Sequence, residues 1–168
     1  MHGGGRRFDP GILHLCHSSG ITGDRSVIFE RVLAATDGTA ASLRGVEIAA
    51  QLVARYEAEF MLVTAVSVSQ NVLLAANMDG PTVEMYVERM AREVLESAMA
   101  VLRRGGVGAE VKIVFGPLPE SILAEIEGCR PDLVVMGRRS RDEPKDLVLG
   151  SVSDRVARHV RVPILLVP

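Results

Sequence analysis

At 168 residues, 48% hydrophobic and 24% charged, the chain can bury one good core and is too short for two comfortable ones. A net charge of −2 gives no general attraction to polyanions, and 4% aromatics leave no base-stacking platform, so nucleic acid is not an expected partner. Charge interrupts every apolar run well short of the ~20 residues that cross a bilayer, and residues 1–20 lack a signal-peptide core, which predicts no membrane contact and a soluble cytoplasmic protein.

Residues 1–28 are rich in Gly, His and Ser and show no useful periodicity apart from a short apolar patch at Ile12, Leu13 and Leu15. They read as a flexible extension ahead of a single domain over residues 29–168. His14, Cys16 and His17 have no downstream pair at zinc-like spacing, so no metal is assigned. Cys16 and Cys129 lie far apart in sequence and fit reduced thiols, with Cys129 a small buried hydrophobe.

Val32 to Ala35 is the first core strand, ended by Thr36-Asp37-Gly38-Thr39, whose Asp and Thr suit a helix cap. A helix follows to about Tyr56, with Leu43, Val46, Ile48, Ala49, Leu52 and Val53 at near-helical spacing. Phe60 to Val66 is a second strand. Its continuous apolarity implies burial on both faces, as in a parallel sheet covered by helices. Ser67 to Pro81 is a long connection able to fold over a ligand. Thr82 to Arg104 is the strongest helix, with Val83, Val87, Met90, Ala91, Val94, Leu95, Ala98, Val101 and Leu102 on one face and its methionines expected in the core. Glu110 to Phe115 reads as a strand and Pro119 to Glu127 as a short helix stopped by Gly128. Leu133 to Met136 is the fourth strand, Ser151 to about Val160 the last helix, and Ile164 to Val167 the last strand, after Pro163. Five strands alternating with four helices predict an α/β fold: an open, doubly wound, five-stranded parallel sheet of Rossmann-like order 3-2-1-4-5 with helices on both faces.

In such sheets ligands lie outside the carboxyl ends of the strands, where the strand order reverses. Asp37, Val66 and Gly137 stand at three such ends. Gly150-Ser151 opens a helix whose first-turn N–H groups can hold an anion. A nucleotide-sized crevice is the natural inference. No catalytic set stands out: Gly-x-Ser-x-Gly and a Walker glycine-lysine pair are both absent, and His159 reads as a surface residue of the last helix.

From about Phe29 to Pro168 the chain resembles the universal stress protein family, whose ATP-binding members carry Gly, two residues, Gly, nine residues, Gly, then Ser or Thr. Here the run is Gly137, Arg138, Arg139, Ser140, nine residues from Arg141 to Leu149, Gly150 and Ser151. The spacing is kept, with Ser140 where the family has its second glycine. Thr36-Asp37-Gly38-Thr39 through Ser42, Phe115-Gly116-Pro117 with Pro119, Pro131-Asp132 through Gly137, and Ser151-Val152-Ser153 with Val162-Pro163 resemble its other landmarks. The resemblance implies Asp37 and Val66 at the adenine and ribose end, Gly137 on the ribose side, and Ser140, Gly150, Ser151 and Val152 at the phosphates. It also implies ATP or a related adenine nucleotide as ligand, Mg or Mn only as its counter-ion, at most a slow ATPase, and a regulatory stress-response homodimer with an unidentified protein partner. Pairing through Ile164 to Val167 is expected as well because an uncovered apolar edge invites another chain.

Each site residue also has a plainer explanation: helix capping for Asp37 and Ser151, a turn for Gly150, a solvated loop for the arginines. Ser140 adds a Cβ where glycine would permit close approach to a phosphate, yet its hydroxyl can donate to that phosphate. Asp142 and Glu143 oppose an anion, and Arg138, Arg139, Arg141 and Lys145 outnumber them. The alternative function is a nucleotide-free interaction domain of the same fold with a degenerate phosphate loop.

Overall fold

The structure is a computed structural model that describes residues 29–66, 80–138 and 150–168. Strands β1 (Arg31–Ala35), β2 (Glu59–Val66), β3 (Glu110–Phe115), β4 (Leu133–Gly137) and β5 (Ile164–Val167) form one sheet in the order β3-β2-β1-β4-β5, every pair parallel. The connecting helices are α1 (Ala40–Tyr56), α2 (Gly80–Gly105), α3 (Leu118–Cys129) and α4 (Ser151–His159). This is the expected doubly wound architecture. The proposed 1–28 extension and most of the Ser67 to Pro81 connection lie outside the described residues.

Strand side chains alternate between faces, so each central strand feeds two cores. Val32, Ala34, Phe60, Leu62, Leu133 and Val135 meet Val46, Ala49 and Val53 of α1 and Ala98 and Leu102 of α2. Leu33, Ala35, Met61, Val63, Val134 and Met136 meet Ile122 and Ile126 of α3 and Val156 of α4 on the opposite side. Continuous apolar strands follow directly from that double demand.

Three expectations need correction. Gly128 does not end α3; the helix runs on to Cys129, which packs at the margin of the second core, and Arg130 takes the left-handed cap at φ 50 with its N–H reaching the Ile126 carbonyl at 3.0 Å. A glycine in a helix is tolerated when the next residue has apolar contacts to gain. The methionines of α2 are not all core: Met85 is 70% exposed and Met90 40%, while Ala91, Ala98 and Leu102 take the inner positions. Cys129 is only half-buried; that burial is still enough to push its thiol pKa upward, which disfavours a reactive thiolate.

The end of the sheet opposite the strand carboxyl termini is held by Asp132, whose Oδ2 accepts from the backbone N–H groups of Glu30 at 2.7 Å and Arg31 at 2.8 Å. Arg31 in turn donates through its guanidinium to the Cys129 carbonyl at 2.8 Å and to Glu59 Oε2 at 3.0 Å. One carboxylate thus aligns the start of β1 with β4. Asp132→Ala should leave two strand-start donors unpaired and lower stability by about 2–3 kcal/mol in urea unfolding; a loss under about 0.5 kcal/mol would show that water replaces the carboxylate freely.

Candidate functional site

β1 leaves the core at Thr36, and four residues turn the chain into α1. Thr39 is the cap of that helix, with φ −70 and ψ 158, and its Oγ1 accepts from the Ser42 N–H at 3.2 Å. Asp37 Oδ1 in turn accepts from both the N–H of Thr39 at 3.0 Å and its hydroxyl at 2.7 Å. The buried hydroxyls of Thr36 and Ser42 lie 3.1 Å apart, and Thr36 Oγ1 also accepts from the Gly38 N–H at 3.2 Å. Asp37 therefore shapes the turn through one carboxylate oxygen while its side chain remains at the surface.

β4 ends against that same turn. A Cβ on Gly137 would lie 2.7 Å from the Ser42 nitrogen, 2.9 Å from its Cα and 3.1 Å from the Ala41 carbonyl carbon. Only glycine fits beside backbone at that distance. One residue on, the Arg138 N–H donates to the Val167 carbonyl at 2.7 Å, and the Arg138 carbonyl accepts from the Gly150 N–H at 2.7 Å. The two ends of segment 139–149 are thereby joined. Gly150 caps α4 at φ −72 and ψ 152, a conformation open to any residue, so a turn requirement does not account for this buried glycine. The first bond of α4 runs from the Asp154 N–H to the Gly150 carbonyl at 2.8 Å, so the helix starts directly at the cavity wall.

Between these elements, at the carboxyl ends of β1 and β4 and on the α3–α4 face, lies a cavity of about 80 Å³. Its walls are Ala35, Thr36, Asp37, Ser42, Ala65, Met136 and Gly137 from the strand ends and α1, Leu118 and Ile122 from α3, and Gly150, Val152 and Ser153 from α4. Of the residues singled out from sequence, Asp37, Gly137, Gly150 and Val152 converge on it. Ser151 sits exposed at the first position of α4 next to the wall. Val66 points the other way, packing with Ala91 and Ile113, while its carbonyl accepts from the Gly116 N–H at 3.3 Å. Ala65 supplies the β2 wall instead, as strand alternation requires. Ser140, Arg139 and Arg141 lie outside the described residues, as do Asp142, Glu143 and Lys145. Arg138 is half-buried, and its Nε is fully buried without a hydrogen-bond partner.

The remaining wall residues were not picked out as site residues from sequence, among them Leu118, Ile122 and Ser153. Leu118 and Ile122 became legible only with the fold, since either could have faced the general core. Ser153 carried a usable signal: a hydroxyl two residues into a helix, on the side that also holds Val156, is a polar group among core positions.

Residues 28–168 match the sequence model of the universal stress protein family. The chain belongs to that family. A universal stress protein of Methanocaldococcus jannaschii is 25% identical over 140 residues, covering 83% of this chain and 82% of the relative. Among solved structures, a universal stress protein in complex with cAMP superposes with a TM-score of 0.65 at 24% identity, over 84% of this chain and 98% of the other. The universal stress protein of Archaeoglobus fulgidus in complex with dAMP gives 0.62 at 16% identity, over 84% and 99%. At these identities the superpositions carry the fold.

The close approach at Gly137 makes this universal stress protein sensitive to one methyl group. Gly137→Ala should cost about 1–3 kcal/mol through overpacking against the α1 backbone. Gly128→Ala, where an added Cβ meets nothing within 4 Å inside a helix, should instead gain about 0.5–1 kcal/mol. Equal effects of the two substitutions in urea unfolding would contradict the packing assigned to Gly137.

Proposed function

We propose that this universal stress protein binds ATP or a related adenine nucleotide in the cleft between β1, β4 and α4, with the phosphates at the start of α4. The convergence of Asp37, Gly137, Gly150 and Val152 on one cavity at the sheet's switch point carries the reading. Three features support it. The amides of the first turn of α4 suit an anion. Arg138, one residue past Gly137, holds a buried cationic Nε donor that has no hydrogen-bond partner among the described residues. Relatives of the same fold are known in complex with cAMP and with dAMP. The described walls enclose less than a whole nucleotide needs, so part of the ligand would extend past the rim.

In this reading Asp37 orders the turn beside the base and ribose, Gly137 keeps that end of the cleft shallow, and Gly150 and Val152 border the phosphates. Ser140 takes the place of the family's second glycine with a hydroxyl toward the phosphates, and Val66 borders the base through its backbone. Ser151 lies at the phosphate end. The protein acts by occupancy rather than turnover, as a cytoplasmic regulatory homodimer answering to a protein partner, and Mg or Mn enters only with the nucleotide. Edge strand β5 supports the dimer: among the described residues it pairs only with β4, and Leu165 on it is exposed. No helix among the described residues is long and apolar enough to cross a membrane.

Isothermal titration with ATP and AMP should give saturable binding at one site per chain. A dissociation constant weaker than about 1 mM, or roughly −4 kcal/mol, in the folded protein would overturn the nucleotide reading and favour the degenerate-loop alternative. For the dimer, sedimentation should show a two-chain species that Leu165→Lys shifts to monomer, since a lysine on an edge strand opposes edge pairing.

A further inference from the structure

We infer that Ser153 is a positioning residue for the phosphate end of this site, acting through the Arg138 carbonyl and not by touching the ligand. The inference rests on the nucleotide reading above. Ser153 is 3% exposed, stands third in α4 and lines the cavity. A serine inside a helix ordinarily donates back to the carbonyl three or four residues earlier. Here the Gly150 carbonyl is the longer partner at 3.1 Å, and it already accepts from the Asp154 N–H. The nearer acceptor is the Arg138 carbonyl at 2.8 Å, one residue past β4 and fifteen residues away in sequence. A hydroxyl has one proton to give. The shorter contact takes it to the end of β4.

Two consequences follow for an anion. The Arg138 carbonyl receives the Gly150 N–H and the Ser153 hydroxyl, which engages both of its lone pairs and keeps an electronegative oxygen from facing a phosphate. The same pair of bonds fixes the end of β4 relative to the first turn of α4, so the amides meant for the phosphate are held in place before ligand arrives. Preorganisation of that kind raises affinity without adding a contact. It acts most directly on the phosphate end, because the base end is built from β1, β2 and the α1 turn.

Binding of ATP and of adenosine, measured side by side on the full chain, tests this. Wild type should bind both. Ser153→Ala should weaken ATP roughly three- to tenfold, the equivalent of one hydrogen bond, and leave adenosine within about twofold. Ser153→Cys, nearly isosteric and a poor donor, should give the same split and serves if the alanine variant does not fold. Unchanged ATP affinity in a folded variant overturns the inference, as does an equal loss for both ligands, which marks a general structural effect. Wild type that binds neither ligand refutes the nucleotide reading and this inference with it.

Discussion

No side chain fits between the end of β4 and the start of α1. The Ala41–Ser42 backbone stands so close to Gly137 that a Cβ there would sit 2.7 Å from a main-chain nitrogen, and the rest of the cleft is laid out from that contact. One turn further along α1 the approach has already relaxed: a Cβ on Gly45 would meet the Met136 carbonyl carbon and Val135 Cγ1 at 3.6 Å, ordinary contact distance. Gly137 is what lets the start of α1 sit against β4, so the turn that follows β1 ends beside the last residue of β4. Thr36, Asp37, Thr39 and Ser42 then tie that turn with short hydrogen bonds. The glycine that resemblance places on the ribose side has a prior duty to the fold, and both duties ask for the same missing side chain.

Arg138 is the joint between this cleft and the outside of the molecule. Its N–H holds the Val167 carbonyl on the edge strand, while its carbonyl is held by Gly150 and Ser153 at the start of α4. A contiguous set of hydrogen bonds, passing through the two peptide groups of a single residue, joins the start of α4 to β5. Arg44 adds a second tie: its guanidinium, through Nε at 2.8 Å and also through Nη2, donates to the carbonyl of Pro168 just past β5. Contacts of this kind are the physical route by which occupancy of a site biases a surface. The proposed ligand and the proposed dimer edge therefore share structure even though they share no residue side chain.

The layered fold was legible because its signals were local and repeated. Four apolar runs too continuous for a half-exposed sheet, separated by helical periodicity, leave few topologies open. What stayed illegible depended on distance and parity. Val66 and Ala65 are equally apolar, and only the register of β2 tells which of them lines the cavity. Met90 fits an apolar helical stripe as well as Ala91 does, yet Ala91 is fully buried and Met90 is 40% exposed, a difference of one position around the helix. Gly128 carries the usual mark of a helix end, and a tertiary contact at Cys129 overrode it. Glycine at 137 was visible as a motif, but its reason, the backbone of a helix nearly a hundred residues earlier, was not.

The polar groups of the cleft are engaged with one another, and this bears on what the site can do. Thr36 and Ser42 face each other, Asp37 holds Thr39, and Ser153 holds Arg138. General acid–base chemistry asks for a side chain within hydrogen-bond reach of the reacting group and able to move a proton to it. The hydroxyls here point into the scaffold, and the one carboxylate in the wall has an oxygen committed to a helix cap. Among the described residues these bonds join the ends of β1 and β4 to the starts of α1 and α4, so the polar side chains of the cavity wall serve first to fix its shape.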